Sequence, residues 1–194
     1  MTSPLRQFRA WFDEAKSVVS RKRDFNAVCL STVGDDGMPS SRIVLLKGVD
    51  ENGFVFYTNK GSRKSSELKQ NPAAALCFYW PETGKQVRVE GYVSETTDAE
   101  SDDYFATRQR QSQIGAWASA QSSPLDSRAE LKQRYDAFDQ KFKGQDVPRP
   151  PHWGGWRLSP LRIEFWENGQ HRLHNRERFT KNSAGQWEST LLNP

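Results

Sequence analysis

The chain has 194 residues, 35% of them hydrophobic, and a formal net charge of +4. That length supports one good core and is short for two, so a single domain over 1–194 is expected. No signal peptide is evident and no apolar run approaches the length of a membrane span. The modest basic excess lacks a lysine-rich tail and any zinc or RNP-type pattern, which disfavours nucleic acid as a partner. Cys29 and Cys77 sit inside apolar runs and read as buried free thiols, with neither a disulfide framework nor metal-ligand spacing. A reducing, cytoplasmic setting fits that usage. Trp and Phe carry much of the apolar mass, so the core is thin and burial against a second subunit is expected.

In chain order, a helix comes first, within 1–22. Ser3 stands at its cap and Pro4 in its first turn. Leu5, Phe8, Phe12, Ala15 and Val19 recur at helical spacing, and Trp11 and Val18 widen the stripe. Strands are expected at 27–33, 41–49 and 54–59, separated by the turn sequences DDG (35–37) and DENG (50–53). A short helix follows at 62–71, stopped by Pro72, and then a hairpin of 73–80 and 85–95 around PETG (81–84). From 97 to 144 the pattern turns helical, with segments at 97–108 and 126–143; the first places acids early and a base late, matching the helix dipole. A Pro- and Gly-rich crossing at 145–155 leads to closing strands at 156–168, 171–180 and 186–192. The fold class is mainly β, an antiparallel barrel with helical insertions rather than a βαβ fold.

The chemistry is approached by elimination. His152, His171 and His174 are the only histidines, and none has metal-ligand spacing to a cysteine. There is no nucleophile elbow and no GxGxxG after a strand. Difficult chemistry would then fall to an organic cofactor. What the sequence does offer is cations beside neutral donors. Arg42, Lys47, Arg63, Lys64, Arg108, Arg110, Arg172 and Arg176 accompany Tyr57, Thr58, Ser62, Ser112, Gln121 and Ser122. Such sets hold phosphate esters: the cation supplies charge and the neutral donors fix orientation. Arg63 and Lys64 open a helix just after Gly61, where free backbone N–H groups also favour an anion. An acid such as Glu90 is the alternative partner for Arg42.

RIVLLK (42–47), VFYTN (55–59), GSRK (61–64), the strand of Gln86, QSQIGAW (111–117), AQSS (120–123) and EFW with RLHNR (164–176) resemble, in order and spacing, the pyridoxine/pyridoxamine 5′-phosphate oxidase family. The resemblance runs from about Leu5 to Pro194. It implies an FMN-binding split β-barrel and a homodimer that shares its FMN sites between subunits. The implied FMN contacts are Arg42, Lys47, Tyr57, Thr58, Ser62, Arg63, Lys64, Gln86, Gln121, Ser122, Trp166 and Arg176, some from the partner subunit. Lys47, Tyr104, Arg108 and Ser112 would hold the substrate phosphate. Tyr104 and Arg108, four apart on an expected helix, would share a face, with Ser112 four residues later. Arg172 and His174, expected to alternate along one strand face, would lie over the substrate ring as the catalytic pair.

The implied reaction oxidises pyridoxamine or pyridoxine 5′-phosphate at the 4′ carbon to pyridoxal 5′-phosphate, with O2 as acceptor and H2O2 as by-product. Two features depart from the family pattern. Many members carry an N-terminal arm with Arg and Tyr residues that folds toward the substrate. The sequence here starts at the first core helix, so a more open pocket is expected. Glu167 follows Trp166 where Gln, His or Gly is more usual. Two alternatives stay open: a related FMN oxidase acting on another substrate, such as a phenazine precursor, and a non-enzymatic flavin or pyridoxal-phosphate carrier on the same barrel.

Overall fold

Strand alternation decides which side chains enter the core and which are left for a site. The computed structural model describes residues 3–19 and 24–194. Helix α1 (Pro4–Val18) is followed by strands β1 (Ala27–Val33), β2 (Pro39–Leu45), β3 (Gly48–Asp50) and β4 (Gly53–Asn59). Helix α2 (Arg63–Gln70) leads to β5 (Ala73–Trp80) and β6 (Lys85–Glu95). The helical insertion holds α3 (Asp98–Ala106), α4 (Arg110–Ala118) and α5 (Arg128–Lys141). The chain closes with β7 (Trp153–Glu167), a 3-10 turn (Gln170–Arg172), β8 (Asn175–Lys181) and β9 (Trp187–Leu191). Positions 1–2 and 20–22 of the expected first helix lie outside the described residues.

The sheet order is β2-β1-β5-β6-β7-β4-β3, and β8 pairs with both β7 and β9. The pairings are antiparallel, as the hairpin-and-turn pattern led one to expect. Strand β7 organises the molecule. One edge pairs with β6 along most of its length. The other edge divides, Trp153–Leu158 facing β4 and Arg162–Glu167 facing β8. The division falls where β6 shifts register between Glu90 and Gly91. A Cβ on Gly91 would stand 2.1 Å from the Ser159 carbonyl oxygen, so the bulge requires glycine.

The main core joins Leu5, Phe8 and Ala15 of α1 to Val28, Leu30, Phe54, Phe56, Leu76, Phe78, Val87, Val89, Ile163 and Phe165 of the sheet. A smaller core lies under the insertion: Phe105, Ile114, Phe142, Val147 and Trp153, with Tyr135 and Phe138 of α5 against it. Val18 does not extend the α1 stripe and is 50% exposed. The Ser3 hydroxyl makes no cap bond, although its carbonyl oxygen accepts from Arg6 N–H at 2.9 Å. Cys29 and Cys77 are half-buried rather than buried. They face each other across β1 and β5, on the sides that alternate away from Leu30 and Leu76. No helix among the described residues is long and apolar enough to cross a membrane.

Three segments differ from the sequence expectation. The strand at 41–49 is two strands, because the chain changes partner between them. Leu46 N–H donates to Asn26 and Lys47 N–H to Val55, so Lys47 stands where the backbone passes from β1 to β4. The helix expected to run to 108 stops at Ala106, where the Thr107 hydroxyl bonds to the Tyr104 carbonyl at 2.8 Å, and α4 starts afresh. Tyr104, Arg108 and Ser112 therefore do not share one helix face. The strand expected from 171 starts only at Asn175, since His171 and Arg172 take φ values of 55° and 64°. Arg172 and His174 consequently do not alternate on a strand.

Candidate active site

Strand β4 delivers Tyr57, Thr58 and Asn59 to one end of the barrel, and Gly61 turns the chain into α2. Lys64 follows within the first turn and folds back over that corner. Its Nζ donates to Thr58 Oγ1 at 3.1 Å, Ser62 Oγ at 3.0 Å and Gln121 Oε1 at 2.9 Å. All three acceptors are neutral. Burial pushes the Lys64 ammonium down, the neighbouring Arg42 pushes it further, and its pKa falls to about 8. A buried cation among neutral groups gains from an arriving anion. Gln121 reaches the corner because Asn59 Nδ2 holds the Ser119 carbonyl at 3.0 Å, which ties the segment after α4 onto β4.

Beside Lys64, the buried carboxylate of Glu67 gathers four donors. Thr32 Oγ1 reaches it at 2.5 Å, Ser40 Oγ at 2.9 Å, Arg42 Nη2 at 3.0 Å and Arg63 Nε at 2.7 Å. Burial alone would raise the Glu67 pKa. The bonds from Thr32, Ser40, Arg63 and Arg42 outweigh it and bring it down to about 2. Glu67, not Glu90, is thus the partner of Arg42; Glu90 bonds to Arg88 and Arg162 on the sheet.

The insertion supplies a second group of cations. Tyr57 stacks on Tyr104, with ring centroids 4.3 Å apart, and on Trp153 at 5.3 Å. The Tyr57 ring lies flat because its partner in register is Gly155, where a Cβ would come within 2.7 Å of the ring. Arg108 lies 4.8 Å over Trp153 and 5.5 Å from Phe105, a cation–π arrangement. Its Nη1 is buried and is the one such side-chain atom without a hydrogen-bond partner among the described residues. Lys47 Nζ stands 5.8 Å over the Tyr104 ring. Two arginines pin the insertion to the sheet: Arg157 of β7 bridges Asp50 and Glu100, and Arg149 pairs with Asp98 and Asp102 of α3 while donating to the Trp153 carbonyl at 2.7 Å.

Both groups open into one cavity of about 790 Å³. Of the residues expected from sequence, it is lined by Arg42, Lys47, Tyr57, Thr58, Arg63, Lys64, Tyr104, Arg108, Ser112, Gln121 and Ser122. Ser62 lies beneath, bonded to Lys64. Arg110 is elsewhere, holding Asp139 and the Phe142 carbonyl at the end of α5. Gln86, Trp166, Arg172, His174 and Arg176 do not line this cavity. Gln86, Trp166 and Arg176 form one row across β6, β7 and β8. That row alternates with Val87, Phe165 and other core residues, so it lies on the face turned from the core. Arg176 is held by Glu164 at 2.8 Å, and the His174 ring lies 4.6 Å from Trp166. The non-glycine residues with positive φ among those described are Ser122, His171 and Arg172. Backbone strain of that kind concentrates at functional segments.

Sequence reasoning missed Trp153, Ile43, Val44, Ser40 and Glu67. Trp153 lies in the segment read as a crossing, and Ile43 and Val44 read as ordinary strand residues. For Glu67 the i,i+4 spacing to Arg63 is the available local signal, while Thr32 and Ser40 come to it from 35 and 27 positions away.

Residues 13–142 match the family model described as pyridoxamine 5′-phosphate oxidase. The chain belongs to the pyridoxamine 5′-phosphate oxidase family. Residues 153–194 match a second model, the pyridoxine 5′-phosphate oxidase C-terminal dimerisation region. The pyridoxine/pyridoxamine 5′-phosphate oxidase of Rubrobacter xylanophilus is 52% identical over 98% of this chain and 87% of its own length. That of Myxococcus xanthus strain DK1622 is 52% identical over 98% and 91%. Among solved structures, PhzG from Burkholderia lata 383, in complex with tetrahydrophenazine-1-carboxylic acid, covers all of this chain and 94% of its own at 31% identity and a TM-score of 0.93. An FMN-binding, pyridoxamine 5′-phosphate oxidase-related protein from Nostoc punctiforme shares the fold at a TM-score of 0.77 and 19% identity, with full coverage of both chains. The split barrel expected from sequence is thus the fold of this oxidase family, and the dimerisation region holds Trp166, Arg172, His174 and Arg176.

Proposed function

We propose that the chain is an FMN-dependent oxidase that converts pyridoxamine 5′-phosphate and pyridoxine 5′-phosphate to pyridoxal 5′-phosphate. The cofactor is FMN. Its phosphate fits the corner of β4 and α2, where Lys64 bonds only to neutral oxygens and Arg63, tied to Glu67 through Nε, lines the cavity. When bound, FMN supplies the acceptor that takes a hydride equivalent from the substrate's 4′ carbon and passes the electrons to O2, giving H2O2.

The observation that carries the substrate assignment is the orphaned Arg108 Nη1. A buried guanidinium nitrogen without an acceptor is costly, and a substrate phosphate beside Lys47, Tyr104 and Ser112 would satisfy it. Trp153 and Phe105 hold the guanidinium in place while it waits. The task of these residues is positioning: two anchors in one cavity fix two flat rings relative to each other. The row of Gln86, Trp166 and Arg176, with Arg172 and His174 beside it, completes the site from the partner subunit. In that reading Arg172 orients the reacting end of the substrate and His174 its ring. The match of 153–194 to a dimerisation region supports this, as does the position of the row away from the core.

Adding pyridoxine or pyridoxamine 5′-phosphate to the yellow protein without oxygen should bleach its visible band, and readmitting oxygen should restore the band with release of H2O2. A second reading, an oxidase of reduced phenazine carboxylates, is favoured by the likeness to PhzG. Bleaching by a dihydrophenazine carboxylate but by neither phosphate ester would establish it instead.

A further inference from the structure

Glu67 does not itself line the cavity, yet both arginines of the β4–α2 corner end on it. The two are gripped differently. Arg42 is held on both terminal nitrogens, Nη1 by Thr32 Oγ1 and the Leu30 carbonyl and Nη2 by Ser40 Oγ and Glu67. Arg63 is held by Nε alone, at 2.7 Å, and its side chain is 63% exposed. A carboxylate that takes Nε leaves the Nη1–Nη2 edge of the guanidinium free, and that edge is the fork that receives a phosphate.

We infer that Glu67 is a positioning residue for the cofactor phosphate: it holds Arg63 by Nε so that the outer fork of the guanidinium faces the cavity, and it fixes Arg42 beside it. The inference rests on the proposed FMN site. Glu67 is itself fixed by the hydroxyls of Thr32 and Ser40 from the facing strands, so the device spans β1, β2 and α2. Four bonds to the ionised form keep Glu67 charged throughout the physiological range. Its position one turn after Arg63 on α2 is the i,i+4 spacing at which such a pair meets. The free arginine otherwise samples many rotamers, and holding it in one removes part of the ordering cost of binding.

The test compares FMN with riboflavin, which lacks the phosphate, on the full chain stripped of flavin. Binding is read from flavin fluorescence quenching. Wild type should bind FMN far more tightly than riboflavin. Glu67→Ala should weaken FMN by about tenfold, the worth of one hydrogen bond between ions, and leave riboflavin unchanged. Glu67→Gln keeps an oxygen that accepts from Arg63 Nε and should recover most of the loss. In an Arg63→Ala background, Glu67→Ala should cost clearly less than in wild type, because only its hold on Arg42 is left to lose. Equal weakening of FMN and riboflavin by Glu67→Ala would reveal a general structural role and overturn the inference, as would full additivity with Arg63→Ala. If Glu67→Ala compromises folding, Ser40→Ala loosens the carboxylate without removing it, and should reduce FMN binding selectively by a smaller factor; no selective loss there overturns the inference too. A wild type that does not prefer FMN to riboflavin would instead sink the proposed cofactor site.

Discussion

Arg63 and Arg108 line the same cavity, but their surroundings are built on different principles. Arg63 is braced by a carboxylate that also collects Thr32, Ser40 and Arg42. Arg108 lies on the rings of Trp153 and Phe105, and its Nη1 has no acceptor. A guanidinium tied by Nε to an ionic partner is already fixed in place, so its geometry persists before any ligand arrives. A guanidinium on aromatic faces keeps an unmet donor, so it gains more from each anion that enters. The first arrangement fixes geometry before the anion arrives; the second leaves a donor that only the anion satisfies.

The largest effect should follow from removing the second cation. Arg108→Met keeps an unbranched chain over Trp153 but deletes every donor. We expect kcat/KM for pyridoxine 5′-phosphate to fall by about 100-fold or more, the worth of two charge-assisted hydrogen bonds. FMN affinity should stay as it was. A parallel loss of FMN would erase the distinction between the two anchors.

Pairing chains sharpens the comparison further. If Trp166 and Arg176 serve the partner's cavity, Lys64→Met and Arg176→Ala lie in different halves of each shared site. Each variant alone should be nearly inactive at limiting FMN. Unfolded together and refolded as mixed dimers, they should regain about a quarter of wild-type activity, because half the dimers are mixed and each of those has one intact site. No recovery in verified mixed dimers would show that each chain completes its own site.

How much of this was legible in the sequence depends on how local each arrangement is. The β4–α2 corner could be read because Thr58, Gly61, Ser62, Arg63 and Lys64 are nearly contiguous, and a short loop brings them together whatever surrounds them. The spacing that points to Arg108 assumes a continuous helix with Tyr104, whereas the helix breaks at Thr107 and the residue reaches the cavity from the break. Trp153 is hard to read because its partners come from distant segments, and Glu67 because only Arg63 is local while Thr32, Ser40 and Arg42 are not. Arg172 and His174 were misplaced on a strand because nothing in QHRL (170–173) announces two successive residues in the left-handed region. Positive φ is uncommon outside glycine, and even the enrichment of His there is too weak to mark His171 and Arg172 in advance.

A smaller effect is expected from pH. Burial and Arg42 hold Lys64 at about 8 before an anion arrives. A phosphate dianion favours the charged ammonium, so its pKa rises on binding. FMN affinity of the stripped chain should therefore be highest at about pH 7, above the second phosphate ionisation at about pH 6 and below the titration of Lys64 at about 8. Above that it should fall by up to about tenfold per pH unit, until the pKa of the complex is reached. Lys64→Met should bind more weakly and lose that alkaline limb. An alkaline limb that survives in Lys64→Met would assign it to another group.

The smallest effect concerns the floor on which the aromatic group rests. A Cβ on Gly155 would sit 2.6 Å from Thr96 Oγ1 and 2.7 Å from Tyr57 Cε1, closer than real side chains approach. Gly155→Ala must therefore lift the Tyr57 ring, which stacks on both Tyr104 and Trp153. Overpacking of this kind costs about 1–3 kcal/mol of stability. Its functional cost should fall on the substrate side: a KM raised a few-fold for pyridoxine 5′-phosphate, with little change in FMN binding, because Lys64 and Arg63 stand on α2 rather than on the rings. Gly154→Ala is the control from the same strand, since its Cβ meets the flexible Lys60 chain at 3.1 Å and can push it aside. Equal KM shifts in the two variants would mean that the Tyr57 stack does not position Arg108, and the contrast between a carboxylate-braced and a ring-braced cation would lose its functional meaning.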